Sequence, residues 1–426
     1  MRRFSKCAVV MVVSTLLSVN LHELVWGSDG QNLNLSELGL EDLMNIQVTS
    51  VSKKEQKLSD AAAAVFVVTR EDIRRSGATS IPEVLRMVPG IQVARLDANK
   101  WAVSARGFND RFADKLLVLM DGRTVFTPLF SGVYWDVQDT MLEDIDRIEV
   151  VRGPGAALWG ANAFNGVINI ITKHSQETQG GLLSAGGGTE ERGFGGARFG
   201  GRVGDDTYYR LYAKYFSRDA GVDASGDRGE DDWSVLRGGF RVDSDLSAND
   251  SVTVQGDIYR GKEGETYTIP LLIPPFSRTF DWDTDIAGSN ILSRWTRTLS
   301  DTADMTLQLY YDRTERDMAI IGEDRDTIDV DFQNRFKCGS RHEIVWGWGY
   351  RFSHESITNK VAITFAPNRR SDNLYSFFAQ DDISLIEDRL RLVLGSRFEH
   401  NEFTGWEIQP NIRLIWTPDY RQTVWA

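Results

Sequence analysis

The chain has 426 residues, with 48 Lys and Arg against 61 Asp and Glu, for a formal net charge of −13. That length allows two or more domains, while the acidic balance argues against the basic surface that a nucleic-acid partner requires. Mean hydropathy is −0.31, and no apolar run of ~18 residues follows the N-terminus, so a helical membrane protein is excluded. A membrane barrel is not, because its strands are only half apolar.

The first residues carry an export pattern. Arg2, Arg3 and Lys6 precede an apolar stretch from Cys7 to Leu17, and Val25-Trp26-Gly27 offers a cleavage site before Ser28. Residues 1–27 are therefore predicted to be a cleaved signal peptide. Cys7 would leave with it, and Cys338 would remain alone, without a disulfide framework.

Residues 28–52 read as a polar leader in which Leu35, Leu38, Leu40 and Leu43 fall near one helical face. It ends in the β-branched stretch Ile46-Gln47-Val48-Thr49-Ser50-Val51, followed by Lys53-Lys54-Glu55. Residues 53–173 then read as a compact α+β domain. Short apolar strands such as Val65-Phe66-Val67-Val68 and Leu116-Leu117-Val118-Leu119 alternate with helical pieces such as Ile81 to Met87, which Pro89-Gly90 stops.

From about residue 180 the pattern changes to two-residue alternation. Tyr209, Leu211, Ala213 and Tyr215 oppose Arg210, Tyr212 and Lys214. Met305, Leu307, Leu309 and Tyr311 oppose Thr306, Gln308, Tyr310 and Asp312. Leu390, Leu392 and Leu394 alternate with Arg391, and Ile412, Leu414 and Trp416 with Asn411 and Arg413. Strands of roughly ten residues with this alternation suit a lipid-exposed barrel wall. A soluble β-sandwich alternates too, but has no reason to keep a parity of connection lengths. Here the connections at Asp243–Ser251, Ser300–Asp304, Lys337–His342, Glu387–Arg389 and Thr417–Gln422 are short. Those near Asp219–Asp232, Gly261–Asp283, Asp317–Asp326, Glu355–Asp372 and His400–Glu407 are longer.

The α+β domain carries motifs in a fixed order. Ile81-Pro82-Glu83-Val84-Leu85, Pro89-Gly90-Ile91 and Ser104-Ala105-Arg106-Gly107-Phe108 come first. Leu119-Met120-Asp121-Gly122-Arg123 follows, and Ile145 to Arg152-Gly153-Pro154 with Asn165-Gly166-Val167-Ile168-Asn169 closes the set. This order resembles the plug domain of TonB-dependent outer-membrane receptors. The resemblance implies an outer-membrane protein facing lipid, a monomer that imports a small metal chelate or corrinoid with energy from the inner-membrane protein TonB. It places the TonB box at Ile46–Val51, where an extended segment can add to a partner's sheet edge. An ordinary buried plug strand is the competing reading.

Arg106, Arg152 and Glu149 read as structural, holding the plug against the wall or supporting local turns and strands; direct ligand contact is the alternative. Gly153 to Gly160 is not a phosphate loop, since no Lys-Ser/Thr follows it. By resemblance, ligand contacts fall at Arg95, Asn99 and Trp101, and at Phe126, Phe130, Tyr134 and Trp135, where rings can stack on a flat ligand or pack the plug against the wall. Asp219, Asp223, Asp227, Glu230, Asp231 and Asp232 offer oxygen ligands for a structural Ca²⁺, without EF-hand spacing; a solvated loop is the alternative. No other cofactor is expected. The five His residues are scattered and no catalytic constellation appears, so the chain does not read as an enzyme.

The wall has about 12 to 13 strands, against about 22 in plugged transporters. Twelve strands close at a diameter near ~24 Å, too narrow for a plug roughly 35 Å across. The expected architecture is therefore a plug followed by an incomplete antiparallel barrel, 180–426, belonging to a larger receptor whose reading frame is incomplete or interrupted. The alternative function is a non-transport signalling or docking receptor with the same plug and barrel.

Overall fold

The computed structural model describes residues 47–426 apart from 52, 55, 59, 60, 108, 223, 224, 361, 420 and 421. The expected signal peptide and most of the leader, Ile46 included, lie outside the described residues. No helix among them is long and apolar enough to cross a membrane.

The first part is an α+β domain. Its strands are β1 (Gln47–Val48), β2 (Gln56–Lys57), β3 (Ala64–Thr69), β4 (Ile91–Arg95), β5 (Trp101–Ala105) and β6 (Leu116–Met120). They continue with β7 (Arg123–Thr124), β8 (Phe126–Thr127), β9 (Gly132–Val133), β10 (Ile145–Arg152) and β11 (Gly166–Thr172). Its helices are α1 (Arg70–Ser76), α2 (Ile81–Leu85) and α3 (Ala156–Trp159). Five strands form one sheet in the order β3-β10-β11-β6-β7, with β11 and β6 parallel and the other neighbours antiparallel. All of β6 is buried, as the unbroken apolar run Leu-Leu-Val-Leu-Met requires. Ile145, Ile148, Val150, Ile168 and Ile170 meet Ile81, Val84 and Leu85 of α2 in one core.

Local signals explain the helix boundaries. Thr69 and Asp72 cap α1 reciprocally, and Gly77 ends it with φ +68°. The expected helix from Ile81 to Met87 is shorter. After Leu85 the bonds tighten, Met87 to Val84 and Val88 to Leu85, ahead of the Pro89-Gly90 turn.

Among the described residues, the rest of the chain forms an antiparallel sheet of thirteen strands in chain order, with its first and last strands at the two edges. They are β12 (Gly180–Gly186), β13 (Glu191–Val203), β14 (Thr207–Arg218), β15 (Trp233–Asp245), β16 (Asp250–Pro270), β17 (Ser277–Ser300) and β18 (Ala303–Asp317). Then come β19 (Ile321–Cys338), β20 (His342–Asn359), β21 (Arg369–Ile386), β22 (Leu390–Asn401), β23 (Gly405–Asp419) and β24 (Gln422–Trp425). The alternation sorts the faces as expected. Leu211, Leu309 and Ile412 are exposed on one face, while Arg210, Tyr310 and Gln308 are buried on the other.

Strand length departs from the expected ten residues. The segments 261–283 and 317–326 are not long loops. There β16 and β17, of 21 and 24 residues, pair up to Pro270↔Ser277, and β18 and β19 pair up to Asp317↔Gly322. Alternation persists in a polar version past the apolar belt, with Thr268 bonded to Thr279 at 2.8 Å and Thr266 to Asp281 at 2.7 Å across the strands. Polar cross-strand pairs extend a ladder as apolar ones do, so the stretch that reads as loop is a projecting hairpin.

The polar face of the sheet wraps the α+β domain. Side chains on strands from β13 (Arg198) through β18 (Gln308) to β23 (Arg413) reach that domain's carboxylates and carbonyls. Gly166 shows how tightly the inner domain is drawn. A Cβ there would lie 2.4 Å from the Val151 carbonyl oxygen, whereas a Cβ on Gly181 of β12 meets nothing within 4 Å. Gly166→Ala is expected to destabilise the inner domain by about 1–3 kcal/mol, read as a lower urea midpoint in tryptophan fluorescence. Gly181→Ala should leave that midpoint near wild type.

Candidate functional site

The segment 47–54 enters under the inner domain and is held from several sides. Val48 is fully buried and pairs, as part of β1, with β2. Beyond it the Glu149 carboxylate accepts the Thr49 and Ser50 backbone N–H groups at 2.9 and 2.8 Å. Trp159 Nε1 donates to the Ser50 carbonyl at 2.7 Å, and Asn169 Nδ2 to Ser50 Oγ at 3.1 Å. Lys53 reaches Asp331 at 3.4 Å, and Lys54 reaches Glu343 at 2.8 Å, both on the wall. Burial pushes the Lys53 ammonium below its ordinary pKa, while Asp331 partly restores it.

The inner-domain motifs split into two kinds. Arg106, at φ +58°, donates to the Arg152 carbonyl at 3.1 Å, and Arg152 donates to the Pro89 carbonyl at 2.9 Å. Gly107 and Gly153 take positive φ beside them, and Phe108 lies outside the described residues. These contacts support turns inside the domain. The Asp121-Gly122-Arg123 turn instead joins domain to wall. Asp121 accepts Thr172 N–H at 2.8 Å, Thr172 Oγ1 at 2.9 Å and Gln255 Nε2 at 2.8 Å, with Arg241 3.9 Å away. Its own carbonyl accepts from Arg294, the Gly122 carbonyl from Gln308 at 3.1 Å, and Arg123 pairs with Asp312 at 2.5 Å. Pro154 contributes its carbonyl to Arg413 of β23 at 3.1 Å.

Two cavities lie between the inner domain and the wall. The upper one, about 510 Å³, is bordered by Asn401, Phe403 and Thr404 at the 402–404 turn. The lower one, about 740 Å³, is bordered by Thr296, Asp304 and Arg335 near the opposite, short turns, and by Thr49, Lys53 and Lys54. Of the ligand-facing candidates, Phe126 and Tyr134 line the upper cavity, with Tyr259 and Tyr310 of the wall. Tyr134 donates its hydroxyl to Glu323 at 2.9 Å under the Arg316 guanidinium, and burial together with Glu323 holds that phenol well above its ordinary pKa. Phe130 packs between Phe112 and Tyr134, and Trp135 is buried.

Arg95, Asn99 and Trp101 sit elsewhere, on the seam between domain and wall. Arg95 pairs with Glu190, and Asn99 donates to the carbonyls of Asp231 at 3.0 Å and Gly264 at 2.9 Å. Trp101 lies edge-on to Trp233 and bonds Glu83 at 2.8 Å. The acidic loop is drawn to cationic and amide groups. Asp219 pairs with Arg192 and Arg228; Glu230 and Asp232 also face Arg228. Asp231 accepts the N–H groups of Ala98 and Gly221. Asp227 forms a further contact and Asp223 lies outside the described residues. Among the described residues no group of three or more His, Cys, Asp or Glu is placed to hold a metal ion.

Comparison with known proteins decides the family. Residues 57–167 match the model of the TonB-dependent receptor plug domain, and residues 178–426 that of the TonB-dependent receptor-like β-barrel. The chain belongs to the TonB-dependent receptor family. The receptor is 37% identical over 142 residues to the vitamin B12 transporter BtuB of Vibrio cholerae serotype O1, spanning 33% of this chain and 23% of the relative. It is 31% identical over 219 residues to BtuB of Photobacterium profundum, spanning 50% of this chain and 33% of that one. Among solved structures it resembles FpvAI of the FpvAI–pyocin S2 complex, with TM-score 0.67, 16% identity and coverage of 89% of this chain and 57% of the other. The ferric yersiniabactin uptake receptor FyuA of Yersinia pestis gives TM-score 0.66 at 14% identity, with coverage of 86% and 64%. The receptor chain thus spans less than two thirds of each of these proteins.

Asp121 and Glu149 of the receptor plug work through partners that local sequence does not reveal. Asp121 meets Gln255 across 134 residues, and Glu149 meets Thr49 across 100. Asp121 is fully buried, which raises a carboxyl pKa. Arg241, the Thr172 N–H, Gln255 and Arg294 outweigh that and hold it below its ordinary 3.8. A depressed folded pKa gives stabilisation that is fully present above pH 3.8 and lost only as pH falls through the lower folded value. Asp121→Ala, which leaves Arg241 and Arg294 without that acceptor, is expected to cost about 3–5 kcal/mol. Urea titrations of plug release at pH 7 and at pH 2–4 check both statements; the gap between variant and wild type should narrow only at the acid end.

Proposed function

We propose that this chain is the plug and part of the barrel of an outer-membrane importer. It takes up a small metal chelate, a ferric siderophore or a corrinoid, with energy delivered by TonB to Ile46–Val51. One observation carries the reading. A cavity bounded by aromatic rings and arginines lies on one side of the plug, and residues 47–51 of the candidate TonB box are tucked under the other side of the same domain. A cavity of that size falls within the ~300–1,000 Å³ of small-molecule sites, and its rings suit a flat ligand. The relatives named as vitamin B12 transporters and the ferric yersiniabactin receptor support the same ligand classes. The apolar outer face of the sheet supports a place in lipid, as the outward band of a barrel wall does.

The box segment has the chemistry to carry a load. Its β-branched residues favour an extended chain, and its main-chain groups, once freed from Glu149 and Trp159, can pair with a partner's sheet edge. Val48→Pro removes one donor and disfavours the regular strand. In cells that depend on this receptor, uptake of radiolabelled cyanocobalamin or a ferric siderophore is expected to fall at least ~10-fold, as from one lost anchoring bond, both in the variant and when TonB is absent. Uptake that persists in both backgrounds overturns the energy-coupling reading, whereas ligand binding without uptake in any background favours the non-transport receptor instead.

A further inference from the structure

Beside the upper cavity, charged groups of plug and wall meet in an enclosed cluster. Arg316 of β18 lies between Asp136 of the plug and Glu263 of β16, at 3.1 Å from the latter. Arg325 of β19 lies 3.7 Å from Glu323 of the same strand and stands opposite Glu355 across the β19–β20 ladder. Four carboxylates thus share two guanidiniums. Lys100 and Arg111, further out, are taken by Asp97 and Glu265. The outward neighbours at this level, Glu315, Asp317 and Asp324, are exposed and charged, so the cluster lies above the lipid-facing band marked by Leu309 and Ile328.

Glu323 is the point of attachment. It accepts the Tyr134 hydroxyl at 2.9 Å and Thr127 Oγ1 at 3.2 Å, and so fastens both ends of the plug loop 127–134. Glu355 has no such donors. It comes within hydrogen-bonding reach of Glu323, while its Oε1 is buried without a donor among the described residues. Arg370, opposite Glu355 in β21, turns instead to Asp372 at 2.6 Å, and Asp372 is a further negative charge nearby. Burial, and then the Glu323 carboxylate, push the Glu355 carboxyl up to about 7. Two carboxylates this close resist being ionised together, and a proton on one supplies the missing donor.

We propose that Glu323 and Glu355 hold one proton between them, and that this proton makes the fastening of plug loop 127–134 to the wall sensitive to pH. With the proton in place, Glu355 donates to Glu323, and Glu323 keeps Tyr134 and Thr127. Once it leaves, two like charges face each other and Glu323 is pushed from its plug partners. A raised folded pKa gives stabilisation that is fully present below the ordinary 4.5 and lost as pH rises through about 7. The loop is therefore held tightly in mildly acid medium and loosens in alkaline medium. The device requires neither TonB nor a ligand.

The test uses the purified full chain in detergent and amide hydrogen exchange of the peptide covering residues 126–137. Exchange is expressed as protection relative to the unfolded chain, so that its chemical pH dependence cancels. Wild-type protection is expected to fall about tenfold between pH 5.5 and pH 8, the scale of one pKa unit. Glu355→Gln is neutral and keeps an N–H donor for Glu323. Its protection should be equal at the two pH values and about tenfold above wild type at pH 8. Infrared titration should show a protonated carboxyl lost near pH 7 in the wild type and missing from Glu355→Gln. Tyr134→Phe removes a donor to the Glu323 carboxylate and should move that titration upward by about one unit; it serves also where Glu355→Gln fails to fold. Wild-type pH dependence in Glu355→Gln, protection below wild type at pH 8, no carboxyl titrating between pH 5.5 and 8, or an infrared midpoint that Tyr134→Phe leaves in place each overturns the proposal.

Discussion

Every strand in the wall must present alternate residues to opposite faces, and the face turned inward carries arginines that need acceptors. Arg198 of β13, Arg210 of β14, Arg237 and Arg241 of β15 and Arg294 of β17 point toward the inner domain, and each finds a carboxylate or a carbonyl there. A buried guanidinium left without partners is a large penalty, so the wall's inner face and the domain it wraps have to be complementary. That requirement sets the position of the Asp121 turn, of Asp144 with Arg198 and Arg210, and of Asp139 with Lys214. The cavities are the places where this complementarity is left incomplete.

The two halves are held by different physics. The inner domain is built around an apolar core of Ile, Val and Leu on its sheet and on α2, whose stability grows with buried area and is indifferent to small shifts in angle. Its attachment to the wall adds polar, directional contacts to apolar ones, in which Phe216, Trp233, Val235, Tyr259 and Ile286 join the same core, Leu158 meets Val345 and Phe378, and Ala62 meets Val393 and Ile415. Ion pairs of this kind add little net stability over an apolar seam but lose much when one partner is removed. The polar part of the seam can be specific in register and still be re-solvated, because water can take over each hydrogen bond as the groups separate.

Much of this architecture was legible in the sequence, and the reasons differ by element. The alternation around Arg210, Gln308 and Ile412 assigned faces correctly because period two is enforced on any strand with one apolar side. The ordered motifs from Pro89-Gly90 to Asn169 pointed to the plug because turns with positive φ leave a glycine signature, as at Gly107 and Gly153. The projecting hairpins were hidden. Thr266, Thr268, Thr279 and Asp281 look like loop residues, and only their cross-strand bonds make them strand. Site partners were hidden for a different reason. Glu149 sits in a conspicuous motif, yet its role depends on Thr49 and Ser50, about a hundred residues earlier. Trp159 had no signal at all in a short stretch of small residues.

The hold on the β1 segment has a consequence for how force can act on the domain. Glu149 grips Thr49 and Ser50 from the middle of β10, which is paired on both sides, to β3 and to β11. A pull transmitted through that carboxylate would load the central strands of the sheet at once, in the region where local opening is most costly. The lysines 53 and 54 tie the following residues to Asp331, Glu343 and Asp382 of the wall, so the same pull would also load the seam. Between the two, the seam includes separable ion pairs, and the sheet is a cooperative ladder. With the segment still clipped to Glu149, tension divides between both; once Thr49 and Ser50 are free, it runs through the lysines to the wall contacts first. Release of the hydrogen bonds at Thr49 and Ser50 would therefore remove the direct side-chain connection between the segment and the middle of β10.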